Sequence, residues 1–344
     1  MHSRFGFGTL RESLWLPLAI GLLAGALLGL YEYFVGPLFA VGSAAGWTPP
    51  LVVFVFLMLM GTGVSLALAR GLLARDDSVT RHARFLLILA LAMLVGGFAA
   101  LAGSLLARGP LALDASSPVI WIVAVWVAQS ALLSARLVLD MAGWRSRSDL
   151  LFCGAMLLLA AAVAIVIGAA FGTVLDRPDF QGALLSMITF TSALVSGAGA
   201  IVLMRPQHAA GNTAGKIFRR AGLLLSALLL VRIAYETHSP AVASLGWTSI
   251  SMLAPFVIAA TLLPLAPRLL AMLGIVAVFW VQYSFMLTGQ VIDFGNSAPG
   301  FAAAGPEPST VRDVLILFLG IGVTAVLIWL GQRFLGRDRQ SPTP

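Results

Sequence analysis

The side chains that could do chemistry in this chain are few, and the most informative ones stand inside long apolar stretches. Arg232 and Glu236 are four residues apart, so a helix places both on one face, where they can form an ion pair. Pairing lowers the cost of a charge inside a membrane, and such residues also serve proton movement. The spacing predicts an intramembrane ion pair with either a structural role or a role in proton transfer. Arg136 and Asp140 repeat the spacing near a helix end, where an interfacial pair is expected.

Histidine and cysteine are too scarce and too poorly placed to bind a redox metal. The four histidines stand at or beyond the ends of the apolar stretches, whereas haem ligands lie within helices: His2, His82, His208 and His238. The one cysteine, Cys153, cannot supply the four thiolates of an iron–sulfur cluster. The sequence also lacks zinc, EF-hand and Walker spacings. We expect no metal ligands in this chain and no bound haem or iron–sulfur cluster.

The elements that must position these residues are membrane-spanning helices. Sixty per cent of the 344 residues are hydrophobic and 10% are charged, which excludes a soluble domain and a nucleic-acid-binding surface. A helix needs about 20 apolar residues to cross a bilayer. Ten stretches reach that length: Leu14–Val35, Pro50–Leu73, Phe85–Ala107, Pro118–Leu139, Leu150–Val174, Phe180–Met204, Phe218–His238, Leu245–Leu265, Leu269–Gln290 and Val311–Phe334. The predicted fold is an all-α, polytopic membrane helical bundle of about ten transmembrane helices.

The distribution of arginine and lysine predicts how the bundle is oriented. Apart from Arg136 and Arg232 within the spans, 16 of the 21 basic residues lie in, or within four residues of, the two terminal segments and the even-numbered connections, and three lie in or beside the odd-numbered connections. Basic residues concentrate on the cytoplasmic side, so both termini are predicted to be cytoplasmic and the number of crossings to be even. The expected location is the bacterial cytoplasmic (inner) membrane.

The first span has two open interpretations, and so has its glycine face. A signal peptide would fit the basic residues ahead of it, but its apolar run is longer than the roughly 7–15 residues of a signal core, which favours a retained helix. Gly21, Gly25 and Gly29 form a repeated GxxxG face that lets another backbone approach. That neighbour is either a helix of the same bundle or a partner subunit.

Four motifs follow one another at the predicted helix ends. They are Trp47-Thr-Pro-Pro, Ser116-Ser117-Pro118 with Trp121, Gly172 with Arg177-Pro178 and the run Thr191 to Gly197, and Gln282-Tyr283 with Thr288-Gly289-Gln290. Their order resembles the NrfD/PsrC family, the membrane subunits of polysulfide-, tetrathionate- and related oxidoreductases. The resemblance covers residues 47–334. Residues 1–46 would add an extra transmembrane helix and an outer loop, and residues 335–344 a cytoplasmic tail.

The resemblance implies a function, partners and a site. Such subunits exchange electrons with the quinone pool, anchor an extracytoplasmic iron–sulfur (ferredoxin-like) subunit, and so serve a molybdenum-containing catalytic subunit. The quinone or quinol, menaquinone or ubiquinone, would bind near the outer face at Trp47, Thr48, Arg108, Trp121, Asp176, Arg177 and Gln181. The two tryptophans also suit ordinary interface anchors. Arg177 also suits a pairing with a neighbouring aspartate or with loop carbonyls.

Two other functions remain open on the sequence alone. The chain departs from the family at three places: Gln282 replaces an arginine, the outer half of the second span (Pro50 to Leu57) has no polar side chain, and the third span lacks an acidic residue before its outer end. These departures would suit an anchor without a working quinone site. A secondary transporter would suit the glycine-rich spans, the pair Arg232–Glu236, and an eighth span interrupted by Pro255 and Pro264.

Overall fold

The computed structural model describes residues 16–34, 49–108, 118–142, 148–172, 181–204, 209–236, 246–297 and 311–334. Ten long helices fill almost all of these ranges: α1 Leu16–Phe34, α2 Pro49–Leu73, α3 Ala83–Arg108, α4 Pro118–Met141, α5 Ser148–Gly172, α6 Gln181–Met204, α7 Ala209–Glu236, α8 Gly246–Leu262, α9 Pro267–Ser297 and α10 Val311–Phe334. A single helical turn, Asp77–Thr80, lies between α2 and α3. The described ranges contain no strand, and the predicted all-α bundle is confirmed.

Seven of the ten helices are long and apolar enough to cross a membrane within the described residues, namely α2 to α6, α9 and α10. The apolar parts described for α1 and α8 are shorter, at Ala19–Leu28 and Leu253–Leu262. Helix α7 is 28 residues long, but Arg219, Arg220 and Arg232 interrupt its apolar part. The chain therefore belongs to the multi-pass membrane class, and the ten crossings stay a prediction.

Helices α2 and α6 form the centre of the bundle. Helix α2 packs against α3, α5, α6 and α9, and its apolar stretch is buried throughout. Helix α6 packs against α1, α5, α7 and α9 and is almost as deeply buried. The two backbones touch where Gly63 meets Gly197. The approach is so close that a Cβ on Gly63 would clash with the carbonyl oxygen of Ala193. Small residues permit this approach in membrane bundles, where van der Waals packing holds helices together.

The glycine face of α1 is used inside the bundle. A Cβ on Gly21 would clash with the ring of Phe190, and one on Gly25 would clash with Met187. Both neighbours belong to α6, so the first of the two interpretations of this face is correct at these two positions. The surroundings of Gly29 are not described by the structure, so the interpretation of this position stays open.

Charged side chains join the helices at the end of the bundle that carries most of the basic residues. Arg84 on α3 pairs with Asp140 on α4 at 3.0 Å, and Arg136 on α4 pairs with Asp149 on α5. Arg136 is 4% exposed and Asp140 is 5% exposed. The prediction of an interfacial pair within α4 needs correcting, because both side chains are buried and each forms an ion pair with a neighbouring helix. Helical spacing identifies residues that share a face, but it does not identify what packs against that face.

Candidate functional site

Most of the residues predicted to bind quinone are not described by the structure. Four of them lie outside the described residues: Trp47, Thr48, Asp176 and Arg177. Arg108 ends α3 and Gln181 begins α6, but neither side chain is described. Trp121 lies in the first turn of α4 and is 48% exposed. The structure therefore does not test whether these residues come together, and the outer site stays a prediction.

Arg232 is the most deeply buried cation in the half of the described bundle that is predicted to face outward. It lies on α7, is 6% exposed, and holds its guanidinium 4.2 Å from the ring centroid of Phe285 on α9. A cation over an aromatic face is attracted to the ring, and the attraction is larger where water is excluded. The side chain of Glu236 is not described, so the pair with Arg232 stays a prediction. Sequence reasoning did not identify Phe285 as a neighbour of Arg232.

Two glutamines stand in the interior of the bundle, each 0% exposed, and their surroundings differ. The first is Gln129 on α4, whose Nε2 donates a hydrogen bond to Oγ1 of Thr62 on α2 at 3.0 Å. The hydroxyl of Thr62 in turn donates to the carbonyl oxygen of Met58 at 2.8 Å. We call Gln129 and Thr62 the Gln129 seam. Its hydrogen bonds join α4 to the central helix α2.

The second glutamine, Gln282 on α9, has neither amide atom hydrogen-bonded to any described part of the protein. The hydroxyls of Thr189 and Ser192 on α6 are likewise buried and without a hydrogen-bond partner among the described residues. A buried polar group left unsatisfied costs about 1–3 kcal/mol. The amide of Gln282 therefore forms no stabilising hydrogen bond with the described residues. Its polar atoms are available to a water molecule or a ligand.

Helix register predicts that Gln282 on α9 and Ser192 on α6 lie at similar depths on facing sides of the two helices. Helices α6 and α9 are antiparallel neighbours, and a Cβ on Gly199 would lie 3.1 Å from Cγ1 of Ile275. Seven residues are about two helical turns and return to the same face. Moving seven residues back from Gly199 reaches Ser192, and moving seven residues on from Ile275 reaches Gln282. Thr189 lies one further turn along α6. We call Gln282, Ser192 and Thr189 the Gln282 seam.

Aromatic residues flank Gln282 along α9. Phe279 lies one turn before Gln282 and meets Phe56 of α2 edge to face, with ring centroids 5.2 Å apart. Phe285 lies one turn after it and carries the guanidinium of Arg232. Tyr283 stacks between Phe279 and Trp280, at 6.3 Å and 5.7 Å. The seam thus combines hydrogen-bonding groups that do not ionise with apolar and aromatic walls, which suits a neutral, flat ligand.

The amide of Gln282 can act in both directions. Its Nε2 donates hydrogen bonds and its Oε1 accepts them, while the hydroxyls of Ser192 and Thr189 can do either. Such a set can hold a carbonyl oxygen through the amide donor and a hydroxyl through the amide acceptor. The same side chain can therefore hold the oxidised and the reduced form of a ligand whose carbonyl becomes a hydroxyl.

Sequence reasoning noted Gln282 only as a departure from a motif and did not identify the seam. Serines and threonines within helices usually bond to the backbone one turn earlier, as Ser196 does to the carbonyl of Ser192 at 2.8 Å. Their presence in α6 thus gives no signal of a site. The amide of Gln282 is the feature of the sequence that could have indicated a site. A glutamine amide reaches the backbone of its own helix less readily than a serine hydroxyl does, so it needs a partner on another helix or on a ligand.

Within the described residues, no group of three or more histidine, cysteine, aspartate or glutamate side chains is arranged to hold a metal ion. The chain matches no model of a known protein family, and no curated protein matches it. The functional assignment therefore depends on the residues themselves.

Proposed function

We propose that this chain is the integral membrane subunit of a quinone-linked oxidoreductase complex. It would exchange electrons with the quinone pool and anchor an extracytoplasmic iron–sulfur subunit, which in turn serves a molybdenum-containing catalytic subunit. The chain would lie in the bacterial cytoplasmic membrane with both termini in the cytoplasm. The chain is expected to hold no redox metal, so the partner would supply the redox centres that pass electrons onward.

The observation that carries the proposal is the unpartnered amide of Gln282 in the Gln282 seam. A quinone head group is flat and neutral, and it needs hydrogen-bond donors for its carbonyls and acceptors for its hydroxyls once it is reduced. Gln282 offers both, and Ser192 and Thr189 offer hydroxyls on successive turns of α6. The proposed role of Gln282 is to position the head group between the aromatic rings of α9 and the hydroxyls of α6.

Helix boundaries add support to the resemblance on which the proposal also draws. Helix α2 begins at Pro49, inside the Trp-Thr-Pro-Pro motif, and α4 begins at Pro118, inside the Ser-Ser-Pro motif. Proline suits the first turn of a helix because the missing N–H has no intrahelical partner there. These two motifs therefore coincide with helix starts, whereas the motif from Gln282 to Gln290 lies within α9. The outer residues Trp47, Arg108, Trp121 and Arg177 stay part of the proposed quinone path.

The test is quinol oxidation by membranes that contain matched amounts of assembled complex. Gln282→Leu removes both hydrogen-bonding atoms and keeps the volume, and it should lower the rate roughly tenfold, as expected for losing hydrogen bonds to a bound ligand. Gln129→Leu is the matched control, because Gln129 is equally buried and already bonded to Thr62. It should leave the rate per assembled complex unchanged. Equal rates for wild type and Gln282→Leu would remove Gln282 from the quinone site.

The partner and the orientation have separate tests. The purified complex should show iron–sulfur signals in electron paramagnetic resonance that disappear when the chain is purified alone. A reporter fused after Pro344 should be cytoplasmic, and one inserted at Ala303 should be extracytoplasmic. Reporters on the same side of the membrane would contradict the ten-span topology, and a chain that copurifies with no iron–sulfur protein would contradict the proposed complex.

A permease for a neutral solute is the second candidate function. It is favoured by the same unpartnered seam together with Pro255, which stands within α8 and interrupts its hydrogen bonding. Discontinuous helices line the binding sites of many transporters. In this case Gln282→Leu would abolish solute uptake into proteoliposomes made from the chain alone, without any effect of quinol.

A further inference from the structure

An apolar groove of about 400 Å³ runs along the outside of the bundle, away from the Gln282 seam. Helix α3 forms its floor, and α4 and α10 form its sides. Only aliphatic residues and a glycine line it: Ile88, Leu91, Ala92, Val95, Leu137, Leu327, Leu330 and Gly331. Val95 is 41% exposed, so the groove opens toward the surroundings of the bundle. In a membrane, those surroundings are lipid.

One end of this groove is closed by charged side chains. Arg84 lies one turn before Ile88 on α3, and Asp140 lies one turn after Leu137 on α4, and the two are joined by the 3.0 Å ion pair. Arg333 on α10 follows Leu330 by three residues, which places it beyond the same end of the groove. These three described side chains, two arginines and one aspartate, together carry one positive charge.

The position of Arg333 is typical of a membrane interface. Its guanidinium lies 5.2 Å from the ring centroid of Trp329, which is 56% exposed. Tryptophan and arginine collect where the hydrocarbon core meets the lipid head groups. The sequence adds Arg337 and Arg339 directly after α10. The groove thus begins in the hydrocarbon region and ends at a cationic interface.

We infer that this groove binds one acidic phospholipid, with an acyl chain along α3 and the phosphate at Arg333 and Arg84. The aliphatic lining fits a hydrocarbon chain, and the volume falls within the roughly 300–1,000 Å³ of ordinary ligand sites. Basic pockets between transmembrane helices are a recognised site for acidic lipid head groups. The inference goes beyond the proposed function, since lipid retention can be measured without a quinone or a partner subunit.

The experiment compares lipids retained by the full chain in native mass spectrometry after adding dioleoyl phosphatidylglycerol or dioleoyl phosphatidylcholine. The wild-type chain should retain phosphatidylglycerol in preference to phosphatidylcholine. Arg333→Gln should weaken that retention about fivefold, the factor expected for one basic residue at an anionic membrane surface. Arg268→Gln is the matched control, because Arg268 is exposed at the start of α9, and it should have no effect.

A second pair of variants tests the acyl-chain part of the site. Val95→Trp places a large ring in the groove and should abolish the selective retention of phosphatidylglycerol. Val138→Trp adds the same ring on α4 outside the groove lining, at a residue that is 63% exposed, and should retain the lipid. Equal retention of the two lipids by the wild-type chain would overturn the inference. So would an Arg333→Gln variant that binds phosphatidylglycerol as well as Arg268→Gln does.

Discussion

The two buried glutamines are a natural comparison within one bundle. Gln129 and Gln282 have the same side chain and the same complete burial. Gln129 is hydrogen-bonded to a hydroxyl on α2, whereas Gln282, on a helix that packs against α6, has no hydrogen-bond partner among the described residues. In a membrane interior water does not readily replace a missing partner, so the difference is one of free energy as well as geometry.

The comparison teaches how to separate a structural polar group from a functional one. A satisfied amide joins two helices and needs nothing else. An unsatisfied one lowers stability unless a water molecule, an ion or a ligand binds to it. The comparison supports a structural role for the Gln129 seam and agrees with the ligand-binding role proposed for the Gln282 seam.

The largest effect should come from breaking the contact that supports both seams. Gly63→Val forces a side chain into the backbone of α6 at Ala193, and overpacking alone costs about 1–3 kcal/mol, and more where backbone must move. We expect most of the variant to be lost as aggregate in size-exclusion chromatography after detergent extraction. Gly154→Val is the control, since a Cβ on Gly154 meets no atom within 4 Å. A well-folded Gly63→Val variant would contradict the described contact between α2 and α6.

Arg177→Ala should have the next largest effect and would show whether the ligand also uses the predicted outer residues. Losing a charged hydrogen bond in a partly desolvated site costs about 1.5–3 kcal/mol, or roughly tenfold to a hundredfold in binding. We expect quinol oxidation to fall by that factor while membrane insertion is unchanged. Arg268→Ala is the control, because Arg268 is exposed at the start of α9. If the complex fails to assemble, Arg177 belongs to partner docking.

Gln129→Leu tests whether the Gln129 seam stabilises the bundle. It leaves Thr62 without the amide but still bonded to Met58, so the expected loss is one interhelical hydrogen bond. Such bonds average about 0.6 kcal/mol in membrane bundles, with a maximum of about 1.7. The variant should unfold at a lower denaturant concentration than the wild type. An unchanged or raised midpoint would mean that this seam does not hold the bundle together.

Gln282→Leu should change stability the least, and in the opposite direction to Gln129→Leu. The change removes two unsatisfied atoms and fills the space with carbon, so without ligand it should leave the unfolding midpoint unchanged or raise it. Destabilisation similar to that of Gln129→Leu would show that Gln282 has a structural partner, and the seam would lose its functional interpretation.

The fold was largely predictable from sequence, and the site was not. Ten apolar stretches of helical length become ten helices because hydropathy and length alone determine which segments form helices in a bilayer. The partners of Arg136 and Asp140 were missed, because they lie on other helices and depend on packing. Gln282 was missed as a site for the same reason. What distinguishes Gln282 is that its amide has no hydrogen-bond partner among the described residues. The spacing of residues within one helix cannot predict this.

The most direct test of the central claim is photoaffinity labelling of the purified chain with an azidoquinone, followed by peptide mass spectrometry. We predict labelling on α9 near Gln282 or on α6 near Ser192, competed by excess unlabelled quinone. Labelling should be reduced about tenfold in Gln282→Leu and should be retained in Gln129→Leu. Equal labelling of wild type and Gln282→Leu, or label confined to helices away from the Gln282 seam, would contradict the account.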